Sequence, residues 1–403
     1  MENFTNNEQL MAANNNEQEM LPVEEFLSES YAFRYNVLSG KTEVRVIGAS
    51  ESEGGAWRHL DEKAMNSIAL AARRALPKEP GLKALIKDII FSEATPCWDP
   101  IRAWLEGLPA WDGLNRIDPL FSLLPGITSE QRYWLAVWLR SVVTHWLQLD
   151  ALHGNEAVVT LIGDQGCGKS TFCRRLLPEH LREYFLDHVN LANRFDKEMA
   201  LTNNLLVNID ELDQIRPSQQ AELKQMLSKV RVNSRRIWAG EQTDSPRYAS
   251  FVATTNNRHP LHDRTGSRRY ICVEVTHGRE IDNTVTIDYE QLYAQVLAEL
   301  ERGERSWFTS DEVRAIQRAN MVYQDTVDME TMVQTCFRQP EADEYTRELT
   351  TGEVLEVLMH EYPAVKLSAS SRSKVGVALK NLGFTRRATN KGRVYLAVPL
   401  VAA

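Results

Sequence analysis

The stretch "GDQGCGKST" at 163–171 constrains the fold more tightly than any other part of this chain. Gly163, Gly168, Lys169 and Ser170 stand at the spacing G-x-x-x-x-G-K-[ST]. The apolar, β-branched run "AVVTLIG" (157–163) leads in, and the helical pattern "KSTFCRRLL" leads out. A buried strand that turns through glycines straight into a helix is a unit of parallel α/β architecture. Glycines let successive backbone N–H groups curl around an anion, and the helix N-terminus adds partial positive charge. The motif therefore predicts a P-loop in which Gly163, Asp164, Gln165, Gly166, Cys167, Gly168, Lys169, Ser170 and Thr171 cradle ATP. Lys169 would reach the β- and γ-phosphates, and Ser170 would ligate Mg²⁺. An ordinary glycine-rich turn would need neither the lysine nor the hydroxyl.

Three further apolar runs follow at 204–210, 248–255 and 270–275, separated by helical patterns. Alternation of this kind predicts a parallel sheet with helices packed on it. "NLLVNIDEL" delivers Asp210 at a strand end, where α/β sheets place ligands. Asp210 is the expected Mg²⁺ partner beside Ser170, and Glu211 the group that orients and deprotonates an attacking water. An Asp-Glu pair alone is an ordinary solvated turn; after a P-loop it fits nucleotide hydrolysis. "FVATTNN" ends in Asn256, placed to hydrogen-bond a γ-phosphate or the lytic water. In "DRTGSRRYICVEV" (263–275), Arg268 and Arg269 precede a buried strand, a poor place for two guanidiniums unless they serve an anion. An arginine finger that stabilises charge on the transferred phosphoryl group fits, with surface ion pairing as the alternative.

The 403 residues allow two or three domains. Residues 1–21 are rich in Asn, Gln and Glu without apolar periodicity and are expected to be a disordered tail. Residues 22–125 read as a small α+β region, with a β-hairpin at 31–48 turning at Ser39-Gly40 and helices at 60–76 and 80–91. Trp98, Trp104 and Trp111 are expected to anchor a core. Residues 126–302 form the ATPase domain, 303–345 a polar connector and 346–403 a separate small domain. The formal net charge of −9 argues against coating nucleic acid with the whole surface, though not against a local basic face. The five cysteines show no metal-binding spacing and suit reduced thiols. The most apolar helical pattern, 133–149, is broken by Arg140 and His145 and reads as a core helix rather than a membrane span. A soluble, cytoplasmic protein is expected.

The ordered set "LPAWDGLNRID", "GDQGCGKST", "NIDEL", "ATTNN" and "TGSRRY" resembles the virulence-associated E family of phage and mobile-element P-loop proteins. That family is similar in turn to superfamily 3 helicases, which are AAA+-like. The resemblance covers roughly 95–300 and implies a homo-oligomer, a hexameric ring with ATP at subunit interfaces and DNA in the channel. It makes Arg269 the first choice of finger, with Arg268 beside it. It also implies that 223–247 carries basic residues into the channel. Lys224, Lys229, Arg231, Arg235, Arg236 and Arg247, together with Trp238, suit a hairpin that tracks a nucleic-acid backbone and stacks a base. A solvated basic helix-loop is the other reading. Relatives are often coupled to priming modules. The region before 95 shows no carboxylate cluster for that chemistry, so a separate primase or polymerase is an expected partner.

From Ala364 to Ala403 there is no acidic residue, while eight Lys and Arg fall there. Helical patterns at 350–362 and 368–383 precede a basic hairpin at 384–398, an order that resembles a winged helix-turn-helix. Arg372 and Lys374 would approach a DNA groove, and Arg386, Arg387, Lys391 and Arg393 would grip phosphates. A basic docking module for a protein partner is the alternative. The expectation for the whole chain is an ATP-hydrolysing DNA helicase or replication-initiation ATPase of a phage or mobile element. Two others stand beside it: a DNA-dependent loader that remodels without unwinding, and a nucleotide-switched DNA-binding regulator.

Overall fold

The computed structural model describes residues 21–149, 155–191, 193–215, 217–234, 243–261, 267–324, 329–341, 346–362, 365, 367–389 and 392–400. They fall into two compact units, one within 1–256 and 268–316, the other within 257–267 and 317–403. Residues 1–20 of the expected tail therefore lie outside the described residues, and Leu21 is the N-cap of the first described helix.

The first unit opens with α1 (Pro22–Ser30), β1 (Tyr31–Asn36), β2 (Lys41–Val46), β3 (Arg58–His59), α2 (Glu62–Ala75), α3 (Leu82–Ile90) and β4 (Cys97–Trp98). The strands lie in the order β3-β2-β1-β4. The β1–β2 turn falls where "LSGK" predicts it: the Asn36 side chain accepts from the amides of Leu38 and Ser39, and Gly40 takes a positive φ of 68°. Alternation then sorts the side chains by face. Tyr31, Phe33 and Val44 pack against Val23, Leu27, Ile68 and Ile86 of the three helices, and Arg34 and Arg45 take the opposite face.

Next come α4 (Pro100–Glu106), α5 (Ile117–Ser122) and α6 (Ser129–Trp146). Thr128 and Gln131 cap α6 reciprocally, and Gln131 also donates to the Cys272 carbonyl. The wholly buried indoles are Trp138 and Trp146, each with its N–H satisfied by a carbonyl, of Ala157 and Leu205. Such burial contributes about 4–6 kcal/mol per ring before conformational entropy is counted. The three tryptophans expected to anchor a core are only half-buried. Trp104 does pack edge-on against Tyr293, but Trp98 and Trp111 lie under the guanidiniums of Arg34 and Arg302. Arg140, the charge that interrupts this helix pattern, is buried by pairing with Glu299 at 2.7 Å.

The central layer follows: β5 (Val158–Ile162), α7 (Lys169–Arg174), β6 (Phe185–Leu186), α8 (Arg194–Thr202), β7 (Leu206–Ile209), α9 (Pro217–Ser228), β8 (Arg231–Ser234), β9 (Thr243–Pro246), β10 (Ser250–Thr255), β11 (Tyr270–Glu274), α10 (Tyr289–Glu301) and α11 (Ser310–Ala319). Five strands pair in parallel in the order β11-β5-β10-β7-β6. β5, β7 and β10 are buried at every position, which is why they read as unbroken apolar runs. Because β10 separates β5 from β7, its C-terminal end lies between the glycine loop and Asp210. β8 and β9 form a separate antiparallel ribbon.

Arg247, expected among the basic residues of that ribbon's DNA face, is instead fully buried beneath it. Its guanidinium donates to the carbonyls of Asn155, Leu227, Lys229 and Ala249 at 2.7–3.0 Å. Burial draws it down to about 9, so it stays charged at neutral pH and acts as a clamp at the base of the ribbon. His145 feels that charge. Burial first, then Arg247, pushes its imidazole down to about 3, and its Nε2 has no hydrogen-bond partner. A folded-state value below the unfolded 6.5 means that only the unfolded chain takes up the proton between those limits. Stability is therefore lost as pH falls through that window, by about 1.4 kcal/mol per unit. His145→Gln should flatten this slope, bringing the unfolding free energies from urea titrations at pH 7 and pH 5 together by about 2 kcal/mol relative to the parent.

The second unit contains α12 (Met329–Cys336), β12 (Phe337–Arg338), β13 (Arg347–Thr350), α13 (Thr351–Glu361), α14 (Ala369–Asn381), β14 (Arg386–Thr389) and β15 (Gly392–Pro399). β15 pairs antiparallel with β12, β13 and β14. Val333, Phe337, Val354, Leu358, Val375, Leu379 and Tyr395 make its core. The expected polar connector at 303–345 thus holds two helices. α11 buries only Ile316 among its described side chains, and the eight-residue α12 buries Met332, Val333 and Cys336. Among the described residues no helix is long and apolar enough to cross a membrane.

Candidate active site

β5 ends at Ile162, and the chain turns through Gly163–Gly168 into α7. Gly166 and Gly168 hold φ of 82° and 90°, the left-handed region that side chains avoid. A Cβ on Gly168 would also stand 2.5 Å from Asn283 Nδ2. Lys169 is the first residue of α7 and is 7% exposed. Its ammonium donates to the carbonyls of Gly163 (2.9 Å) and Asp164 (2.7 Å) and to Asn256 Oδ1 (2.9 Å). The last of these bonds joins the glycine loop to the tip of β10.

Asp210 follows β7 directly and accepts from the Thr254 hydroxyl. Glu211 takes φ 52° and ψ 54°, a left-handed conformation that is strained for a residue with a Cβ. Thr255, next on β10, donates to Asp213 at 2.6 Å. A cavity of about 330 Å³ opens here. Gln165, Gly166, Gly168, Lys169, Ser170 and Thr171 line one side, with Asp210, Glu211 and Asn256 facing them. One ammonium, a glycine loop, the hydroxyls of Ser170 and Thr171 and two carboxylates line a single cleft, a set suited to a phosphate chain. The hard oxygens of Ser170 and Asp210 suit a Mg²⁺ ion bound partly through that chain.

Not every predicted loop position faces the cleft. Asp164 turns away, accepting from the Gly278 amide at 3.0 Å and pairing with His277, contacts that hold its carboxyl below the usual range. Cys167 is buried, and its carbonyl accepts from the Ile281 amide at 2.9 Å. Asn283 adds a bond to the Gly168 carbonyl at 3.0 Å. The segment after β11 therefore straps the outer side of the loop. Sequence reasoning missed His277, Asn283, Thr254 and Asp213. Only the polar end of "FVATT" hinted at Thr254.

Arg268 and Arg269 sit at the other end of the sheet. Tyr270 pairs with Val158, the first residue of β5, so the two arginines lie a full strand, roughly 15 Å, from the glycine loop. Arg268 is exposed, and the Arg269 side chain is 13% exposed. Arg269 Nε stands 3.1 Å from a Glu156 carboxylate oxygen, yet the N–H is not directed at it and makes no hydrogen bond.

On the ribbon, Arg231 pairs with Asp244, and Lys229 is half-buried. Arg235, Arg236 and Trp238 lie outside the described residues. In the second unit Arg372, Lys374, Arg386, Arg387 and Arg393 are all exposed, and Lys391 lies outside the described residues. Strand register puts Arg386 and Arg393 on the face of Tyr395, whose hydroxyl donates to the Gly376 carbonyl of α14, and puts Arg387 on the other.

Comparison with known proteins starts from the same region. Residues 105–325 match the virulence-associated protein E-like domain. The chain belongs to the virulence-associated protein E-like family. The matched span of this VapE-like protein takes in the glycine loop, Asp210, Glu211, Asn256 and both arginines. Residues 328–397 match a domain of unknown function described from a B. theta gene. No curated protein sequence matches the chain. Among solved structures, the apo C-terminal region (305–718) of NrS-1 is 12% identical with a TM-score of 0.46, over 95% of this chain and 99% of that one. An A-form apo structure of the same region is 12% identical at 0.44, over 95% and 99%, and another is 11% identical at 0.43, over 95% and 100%.

Proposed function

We propose that this VapE-like protein is a P-loop, AAA+-like ATPase that drives DNA unwinding in replication of a phage or mobile element, working as a ring oligomer, hexameric by the family resemblance. The observation that carries the reading is the 2.9 Å bond from Lys169 to Asn256, made in a cleft that also holds Asp210 and Glu211. Lys169 releases the loop carbonyls and turns to the β- and γ-phosphates. The loop amides and the α7 N-terminus hold the phosphate chain from below. Ser170 and Asp210 would hold Mg²⁺, which when bound would supply positive charge against the charge developing on the phosphates. Glu211 takes the proton of the attacking water, and Asn256 orients that water and reports the γ-phosphate.

The second unit acts as a winged-helix DNA tether. Three helices, two strands and a terminal hairpin, with exposed basic residues on α14 and on β14–β15, support that role. Tethering raises the local DNA concentration for a motor on the same chain. A separate primase or polymerase completes the replication set, and the chain works in the cytoplasm.

The test is steady-state ATP hydrolysis with and without single-stranded DNA, run beside strand separation of a forked duplex. Hydrolysis that rises with DNA, with unwinding abolished by Lys169→Ala, is the expected result. DNA-stimulated hydrolysis without strand separation would reassign the chain as a loader. Duplex binding with negligible turnover would make it a nucleotide-switched regulator.

A further inference from the structure

The strands of the N-terminal sheet lie before residue 105 and outside both matched family regions, and the end of their helix-free face at Arg45 and Trp57 is the exposed one. α1, α2 and α3 cover only the face that carries Tyr31, Phe33 and Val44. The opposite face holds a stack of cations and rings rather than an apolar layer. The Arg34 guanidinium lies 3.2 Å from the ring centre of Trp98 and 4.2 Å from that of Trp57. Arg45 lies 4.9 Å from Trp57. Strand register explains the assembly: β3 pairs His59 with Glu43 and Arg58 with Val44, so Trp57 arrives opposite Arg45. β4 pairs Trp98 with Asn36 and brings the second ring to the other side.

Within this stack the two arginines differ. Arg34 is 17% exposed and tied to Glu43 at 2.7 Å, so its charge is matched. Arg45 is exposed, and no carboxylate pairs with it among the described residues. His59 and Lys41, also exposed, lie farther along the same face, His59 opposite Glu43 and Lys41 two positions beyond it. Glu43, the acid within this face, is already committed to Arg34 and Asn36. Asn36 continues the network to the Tyr184 hydroxyl at 2.8 Å, one residue before β6 of the central sheet.

We infer that this face binds single-stranded nucleic acid, with one base stacked on the Arg45–Trp57 end and backbone phosphates met by Arg45, His59 and Lys41. A sheet with helices on one side and rings capped by guanidiniums on the other offers planar groups on which an unstacked base can lie, the exposed Arg45 guanidinium outermost. The unmatched positive charge beside those surfaces selects a polyanion. A duplex keeps its bases stacked inside and offers only phosphates, so the site takes single strands.

The site needs no nucleotide hydrolysis, so it can be tested without ATP and stands or falls apart from the ATPase reading. The full chain is mixed with oligothymidylate carrying 5-iodouracil, irradiated, digested and mapped by mass spectrometry. Expected are cross-links in residues 41–59, centred on Trp57, reduced about fivefold or more by Arg45→Glu, the scale of one lost stacking contact. Arg45 is exposed, so that variant keeps the fold, and its DNA-free ATP hydrolysis stays at the parent level. Cross-links confined to 223–247 and 364–403 would overturn the proposal. Equal labelling by a blunt duplex would overturn the stacking basis, and competition by polyglutamate as effective as by unlabelled oligothymidylate would mark the face as a contact for acidic protein instead.

Discussion

Glu211→Gln lowers ATP turnover by about 10²–10⁴-fold while nucleotide affinity stays close to the parent value. The substitution keeps size, polarity and the left-handed backbone at φ 52° and removes only the ability to accept a proton. A water-activating carboxylate acts in the transition state, so its loss lowers kcat and kcat/KM together and leaves binding alone. Lys169→Ala behaves differently, because that ammonium holds the phosphates in the ground state as well, and affinity falls with rate. The strained backbone supports the assignment. A conformation of this kind costs about 1–3 kcal/mol and persists where the surrounding fold over-determines it. Asp210, held by Thr254, and Asp213, held by Thr255, pin the chain on either side of Glu211. Single-turnover hydrolysis beside fluorescent-nucleotide titration separates the two effects. Unchanged turnover in Glu211→Gln would remove Glu211 as the base.

Much of this site is local in the chain, and that part was legible. Glycines at 163, 166 and 168, a lysine at the helix start and an apolar run before them fix β5, the loop and α7 without any distant partner. Asp210 and Asn256 were placed at strand ends by the same logic, because an apolar run that stops at a polar residue marks the rim of a buried sheet. What needed the fold was lateral. Nothing in the order of the strands along the chain says that β10 enters between β5 and β7, and only that insertion brings Asn256 to Lys169. Asp164 reads as a phosphate neighbour until His277 and Gly278, more than a hundred residues on, draw it outward. Arg247 reads as a channel residue because charge in sequence looks exposed. Its four carbonyl partners come from separate stretches of chain, and no local pattern announces them. Trp98 and Trp111 fail in the opposite sense: an indole can be covered by a guanidinium as well as by a core.

The second large effect concerns the paired arginines. Replacing the finger lowers turnover by about 10³–10⁵-fold without loss of nucleotide affinity. Sheet geometry rules out action on the same chain's glycine loop, because β11 presents Arg268 and Arg269 at the end of the sheet away from it. If either arginine serves a phosphate, as the proposed function has it, that phosphate lies on a second copy. Chains carrying Asp210→Ala keep intact arginines, and chains carrying Arg268→Ala or Arg269→Ala keep an intact loop. In a random equimolar oligomer roughly one interface in four joins the two intact halves, so the mixture hydrolyses ATP where neither parent does. The two arginines are told apart by the same assay. Arg269 is already engaged beside Glu156, so a finger at 269 has to leave that carboxylate, and Glu156→Gln should then raise basal turnover. Arg268 forms no ion pair among the described residues, so a finger at 268 leaves the rate of Glu156→Gln unchanged. Failure of both mixtures to regain hydrolysis, in oligomers verified by native mass, would end the case for a shared active site.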